Sequence, residues 1–132
     1  MRARFILAVI AVSCIIYSCT KDHDNTGNKP IRKVHYELFT TEDFSEDNHD
    51  IQFNLFMRDN RRTIFDSALA IMKIKDIPDS LNRLIFDKLV PGNNQDSLVV
   101  GFTYRIFDVG YSWYLDKFQK GDTLKKIIYS FK

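Results

Sequence analysis

The stretch that decides the fold is Leu98-Val99-Val100-Gly101-Phe102-Thr103-Tyr104-Arg105-Ile106-Phe107. Every second residue from Leu98 to Ile106 is apolar, whereas the residues between them give a mixed second face. Because successive side chains of a β-strand point to opposite faces, this period of two predicts a strand with one face buried in a core. It is the clearest strand signal in the chain.

The same period of two recurs on both sides of this stretch and predicts further strands. The apolar sets are Val34, Tyr36 and Leu38; Ile51, Phe53, Leu55 and Met57; Tyr111, Trp113 and Leu115; and Ile127, Tyr129 and Phe131. We expect Tyr111, Trp113 and Leu115 to point into the core. Tyr114 and Phe107 would then lie on the surface.

Two further segments are apolar without a clean alternation. Residues 67–75 predict a central strand, buried on both faces. Residues 80–86 fit two interpretations: a short helix capped by Asp79 or Ser80, or the start of a strand through residues 84–86.

Turn-forming residues separate the predicted strands and predict four hairpins. They are Asp59-Asn60-Arg61, Pro91-Gly92-Asn93-Asn94, Asp108-Val109-Gly110 and Gly121-Asp122. About seven strands in about a hundred residues predict an all-β domain, an antiparallel β-sandwich of the immunoglobulin-like or fibronectin-like kind. The cysteine pair that is diagnostic of immunoglobulin domains does not occur in this part of the sequence, so an open barrel and a transthyretin-like topology stay as alternatives.

The N-terminal residues have the pattern of an export signal. Arg2 and Arg4 precede an apolar run over residues 5–16, and the chain turns polar directly after Cys19. A run of about a dozen residues is shorter than the roughly 20 that a membrane-spanning helix needs. We therefore predict a cleaved signal peptide over residues 1–18, a flexible tether over residues 19–30, and the β-sandwich over residues 31–132.

The tetrapeptide Ile16-Tyr17-Ser18-Cys19 resembles the lipobox of bacterial lipoproteins, in which apolar and small residues precede the acylated cysteine. Ile16 and Ser18 match that pattern, whereas Tyr17 is bulkier. The resemblance implies a covalent lipid such as palmitate on Cys19 and a place in the cell envelope, anchored to the outer membrane. Lys21, Asp22 and Asp24 resemble the surface-export signal of Bacteroidota lipoproteins, which implies exposure on the cell surface.

Two alternatives to lipidation of Cys19 remain. Cys14 also follows apolar and small residues, but cleavage there leaves an apolar mature end and an apolar run of only about eight residues. Cleavage by an ordinary signal peptidase, or retention of residues 5–18, leaves Cys19 without a lipid.

Charge and cysteine content narrow the function classes. The chain has 19 lysines and arginines and 17 acidic residues, and removal of Arg2 and Arg4 with the signal leaves 17 of each. A balanced domain without a basic run argues against nucleic acid as a partner. Both cysteines, Cys14 and Cys19, lie in the N-terminal segment, so we expect neither disulfides nor thiol chemistry in the domain.

Residues for catalysis are sparse. The three histidines, His23, His35 and His49, belong to no recognisable motif of a hydrolase or a metalloprotease, and we expect a protein that is not an enzyme. The acidic segment 42–50 offers Glu46, Asp47 and Asp50 as oxygen ligands for calcium. Apart from the lipid expected on Cys19, calcium is the only candidate cofactor. Its spacing differs from that of an EF-hand loop, and a solvated loop explains it more simply.

Aromatic residues near the C-terminus give a second candidate site. We expect Phe107 and Tyr114 to stack on a sugar while Asp108 and Asp116 accept hydrogen bonds from its hydroxyls. The leading function is thus a non-catalytic accessory lipoprotein that binds a glycan, a peptide or an envelope protein. The alternatives are an assembly module that acts by β-strand addition and, less favoured, a small hydrolase or inhibitor.

Overall fold

The computed structural model describes residues 30–91 and 95–132, so Cys19 and the predicted signal lie outside the described residues. The described chain forms eight strands and one short 3-10 helix. The strands are β1 (Lys33–Thr40), β2 (Asp50–Arg58), β3 (Thr63–Ala68), β4 (Met72–Lys73), β5 (Leu84–Leu89), β6 (Leu98–Ile106), β7 (Gly110–Phe118) and β8 (Leu124–Phe131), and the helix is Ile74–Asp76.

These strands form two open sheets that pack against each other. The small sheet has the order β5-β1-β8, and the large sheet has the order β3-β2-β6-β7, with β4 beside β2 on the same edge as β3. All pairings are antiparallel except that of β1 with β8, which is parallel. The predicted all-β sandwich is confirmed.

The core lies between the sheets, and most of it comes from the predicted period of two. Its buried strand residues are Val34, Tyr36, Leu38, Ile51, Phe53, Leu55, Met57, Leu98, Val100, Phe102, Phe118, Ile127 and Phe131. Aromatic rings join the sheets: Phe102 and Tyr129 have centroids 4.9 Å apart, and Phe53 and Phe131 6.5 Å apart. Each fully buried large apolar side chain contributes about 1.5–3 kcal/mol, which holds the sandwich without disulfides.

Two segment predictions are wrong. Residues 67–75 do not form a central strand, because β3 ends at Ala68 and the two-residue β4 follows on the edge of the large sheet. The apolar residues there still serve the core, since Leu69 and Met72 pack against it from the edge. Residues 80–86 form no helix; the other interpretation is confirmed, since β5 begins at Leu84 and pairs with β1.

Two of the four predicted hairpins are confirmed. Residues 59–61 lie in the turn between β2 and β3, and residues 108–110 complete the turn from β6 into β7. The turn at 121–122 carries the chain from β7 in the large sheet to β8 in the small sheet. The connection through Pro91 also crosses between the sheets, from β5 in the small sheet to β6 in the large sheet. Turn residues reverse the chain locally but do not specify which sheet the next strand joins.

Candidate functional site

The orientation of β7 is opposite to the one predicted. Tyr111, Trp113 and Leu115 are 73%, 59% and 45% exposed, so the prediction that they point into the core is wrong. Tyr114 instead packs against the core, with its ring 5.7 Å from that of Phe102 and nearly parallel to it. Pairing with β6 explains this, because the three exposed residues lie opposite the mixed face of that strand.

The outward face of the large sheet is therefore partly aromatic. Its side chains form rows across β2, β6 and β7, because paired residues of adjacent strands share a face. The rows are Gln52, Arg105 and Tyr111; Asn54, Thr103 and Trp113; Phe56, Gly101 and Leu115; and Arg58, Val99 and Lys117. Gly101 has no side chain, so the third row leaves a gap between Phe56 and Leu115.

A cleft of about 360 Å³ opens on this face, and we name it the outer cleft. Its walls are Asn54, Phe56, Asp66, Thr103, Trp113 and Leu115, with Arg58 and Thr63 at one end. Binding sites for small molecules have volumes of roughly 300–1,000 Å³, usually with apolar walls and a few polar groups. The outer cleft has this composition at the small end of that range.

Asn54 is the polar residue in the outer cleft with an unmet hydrogen-bonding group. Its Oδ1 is buried and accepts no hydrogen bond from any described residue. A buried acceptor without a donor costs about 1–3 kcal/mol. Rotation of the amide about χ2 exchanges Oδ1 and Nδ2, so Asn54 can offer an acceptor or a donor to a ligand in the cleft.

The residues that the sequence suggested for ligand binding do not lie together. Phe107 and Asp108 lie at the β6–β7 turn, with the Arg105 guanidinium 4.8 Å above the Phe107 ring. Tyr114 faces the core, and Asp116 on the same face makes an ion pair of 2.6 Å with Lys125. Trp113, which we expected in the core, is instead an aromatic residue exposed on the sheet surface, the role that we predicted for Phe107 and Tyr114.

The acidic loop does not gather its carboxylates around one point. Asp47 accepts hydrogen bonds from the backbone N–H of His49 at 2.9 Å and its imidazole at 2.7 Å, and these bonds lower the pKa of Asp47. Asp50 makes an ion pair of 2.8 Å with Lys73, and Glu46 is exposed. In residues 30–91 and 95–132, no three acidic, histidine or cysteine side chains are grouped to hold a metal ion.

A charged network covers part of the outward face of the small sheet. The His35 imidazole lies between two carboxylates, with Nδ1 2.6 Å from Asp87 and Nε2 3.1 Å from Glu37. The Arg83 guanidinium also donates to Glu37, and this hydrogen bond is the main reason why the pKa of Glu37 lies below its ordinary value. The His35 hydrogen bond lowers the pKa of Asp87 in the same way.

Glu37 should make the domain sensitive to acid. A carboxyl group with a lower pKa in the folded state stabilises that state above its unfolded pKa, and the contribution is lost as the pH falls through the folded pKa. We expect Glu37→Gln to be less stable than wild type at pH 7 and to approach it as the pH falls from about 5 to below about 4.3, the ordinary pKa of a glutamate. Urea unfolding over this range measures the difference, with the exposed Glu46→Gln as control. A constant gap between wild type and Glu37→Gln would contradict the assignment.

None of the described residues belongs to a helix with the length and apolar character needed to cross a bilayer. Comparison with protein-family models, with curated proteins and with solved structures finds no match to this chain.

Proposed function

We propose that this chain is a lipoprotein of the cell envelope, anchored to the outer membrane through a lipid on Cys19, whose β-sandwich is a non-catalytic binding domain. The observation that carries the binding role is the outer cleft, where the exposed Trp113 borders polar groups on an outward-facing sheet surface. A large aromatic side chain costs free energy when it is left in water, and a bound ligand recovers that cost.

The anchor is supported by the residues around Cys19. The apolar run, the small residue before the cysteine and the polar residues after it fit a lipidated protein. A thiol at this boundary can take the lipid, and the domain then stays attached to the outer leaflet with its cleft in the aqueous phase. Exposure on the cell surface is part of this proposal.

The contents of the outer cleft favour binding over hydrolysis. Asp66 is the carboxylate in its lining, and Arg58 and Asn54 are the other strongly polar groups. Hydrolysis of a glycosidic bond commonly needs two carboxyl groups that flank the bond. One carboxylate beside an amide and an aromatic ring suits recognition of a ligand.

Addition of a partner strand to β7 is a second candidate function, supported by one specific observation. Within the described parts of the chain, β7 pairs with β6 along one edge and with no strand along the other. It is nine residues long, and its charged residues are Asp116 and Lys117 at one end. A long edge with few charges is suited to pairing with an incoming strand.

Replacement of Cys19 tests the anchor. We expect wild type to incorporate labelled palmitate and to fractionate with membranes, and Cys19→Ala to lose both properties, because the acylated thiol is gone. Intact mass spectrometry measures the lipid directly. Cys14→Ala is the matched control and should remain labelled. Label that survives in Cys19→Ala, or disappears in Cys14→Ala alone, would overturn the assignment.

Sedimentation with isolated cell envelopes tests the binding domain. The full-length protein, purified in a detergent without a sugar headgroup, should sediment with the envelopes in a saturable way. Trp113→Ala should sediment at least about tenfold more weakly, whereas the exposed Ile128→Ala on the small sheet should behave as wild type. Equal sedimentation of the two variants would remove the outer cleft from the proposed function.

A further inference from the structure

We infer that the outer cleft binds an uncharged oligosaccharide, with one sugar ring stacked on the Trp113 indole and the next ring beside Tyr111. This inference rests on the proposed function and names the ligand class of the same cleft. It depends on three properties of the surface: the spacing of the two rings, the polar groups beside them, and the balance of charge.

The aromatic pair gives an extended apolar surface. Tyr111 and Trp113 project from the same side of β7, because residues two apart on a strand share a face. Their ring centroids are 6.0 Å apart and their planes differ by 37°. This separation is comparable with the length of one sugar unit in a chain, so neighbouring rings of an oligosaccharide can each lie on one aromatic face.

The polar groups beside Trp113 match the hydroxyls of a sugar. Asn54 and Thr103 lie in the same row as Trp113, so the backbone of Asn54 is two strand spacings, about 10 Å, from that of Trp113. The amide and the Thr103 hydroxyl can each donate and accept, and the Asp66 carboxylate accepts. Each sugar hydroxyl also donates and accepts, and once the amide has rotated about χ2 one of them can donate to the Oδ1 of Asn54, which is buried and has no donor among the described residues before that rotation.

Charge selects among sugars. The cleft has one cationic side chain, Arg58, and one anionic side chain, Asp66, so its formal charge is balanced. The guanidinium carbon of Arg58 lies 5.6 Å from the centre of the Phe56 ring, so one side of the guanidinium faces an apolar neighbour. A charged sugar would meet a like charge as well as an opposite one in this lining and would lose water from its own charged group, whereas an uncharged pyranose bears neither cost.

The shape of the cleft distinguishes a sugar from a protein partner. A stable protein interface buries about 800 Å² on each side, mostly over a flat surface. A concave cleft of about 360 Å³ is instead the size of a small-ligand site. Tyr111 lies outside the lining of the cleft, on the next row toward the β6–β7 turn, so the surface continues in one direction and favours a chain of sugars over a monosaccharide.

Tryptophan fluorescence gives a direct readout, because Trp113 is the chain's single tryptophan. The probes are hexaoses of glucose, xylose and mannose, with an oligogalacturonate as the charged comparison. Titration of the full-length protein, in a detergent without a sugar headgroup, should give a saturable blue shift with at least one neutral probe. Calorimetry with that probe should show affinity at least about tenfold weaker for Trp113→Ala and for Asn54→Ala, and unchanged for Ile128→Ala.

Three outcomes would overturn the inference: no shift with any neutral probe up to about 10 mM, tighter binding of the oligogalacturonate, or wild-type affinity in Trp113→Ala. Envelope sedimentation separates this failure from failure of the proposed function. If sugars fail but sedimentation still depends on Trp113 and is abolished when the envelopes are treated with protease, the ligand is a protein and only the ligand class is wrong. If sedimentation also ignores Trp113, the proposed function fails with it.

Discussion

Replacing Arg32 by methionine is expected to lower the free energy of unfolding by roughly 3–5 kcal/mol. Arg32 precedes β1 and is only 2% exposed. Its guanidinium donates hydrogen bonds to the backbone carbonyl oxygens of Asp96 at 2.7 Å, Gln119 at 2.7 Å and Asp122 at 2.8 Å. The guanidinium carbon also lies 4.1 Å from the centre of the Phe118 ring.

The size of this effect follows from what the carbonyls connect. They belong to the segment that enters β6 and to the connection from β7 to β8, so one side chain ties the start of β1 to two of the connections that cross between the sheets. Methionine keeps an apolar stem against Phe118 but donates no hydrogen bond. Each carbonyl left buried without a donor costs about 1–3 kcal/mol, reduced where water can enter.

Thermal and urea unfolding measure the effect of Arg32→Met. For a domain of this size, each kcal/mol lowers the melting temperature by about 4–8 °C. Arg62→Met is the control, because the Arg62 side chain is largely exposed and lies 3.9 Å from Asp59, and its loss should cost less than about 0.5 kcal/mol. Similar losses in the two variants would show that Arg32 does not hold the connections together.

Replacing Gly101 by alanine is expected to cost about 3 kcal/mol or more, although it adds only one methyl group. A Cβ built on Gly101 overlaps the backbone carbonyl oxygen of Tyr114 and comes within 3.2 Å of the Cα of Leu115. The obstacle is the backbone of β7, which cannot rotate away as a side chain can. Accommodating the methyl group requires β6 and β7 to separate where Gly101 pairs with Leu115.

Gly121→Ala is the matched control, since it adds the same methyl group with no atom within 4 Å. Its backbone has a φ of +87°, which disfavours alanine by about 1–2 kcal/mol. Urea unfolding should rank Gly101→Ala as clearly less stable, and amide hydrogen exchange should show lost protection along β7. A smaller loss for Gly101→Ala than for Gly121→Ala would mean that the strands adjust without separating.

Most of the strands could be predicted because alternation is a local property. The faces of β1, β2 and β6 are fixed by runs in which one face is clearly more apolar than the other, as from Leu98 to Ile106. The strand at β5 was one of two interpretations, because residues 80–86 also contain helix-capping signals. The parallel pairing of β1 with β8 has no signal in the sequence, since residues far apart in the chain decide it.

The candidate site was harder to predict than the fold. On β7, both faces contain aromatic residues: Tyr111 and Trp113 on one, Tyr114 and Phe118 on the other. Local alternation therefore identified a strand, but it favoured the wrong face, that of Tyr111 and Trp113, for the core. No sequence motif identified Asp66 and Asn54, and only the assembled sheet places them in the same cleft as Trp113.

The sequence by itself determined that this domain is all-β, that the core alternates along its strands, and that no disulfide within residues 31–132 is available to hold it. These are local or compositional properties, which the chain carries before it folds. Only the tertiary structure decided which sheet each strand joined and which face of β7 met solvent. The pairing of β6 with β7 and the packing of Tyr114 on Phe102 fixed that face, because contacts between distant segments outweigh a local pattern that is apolar on both sides.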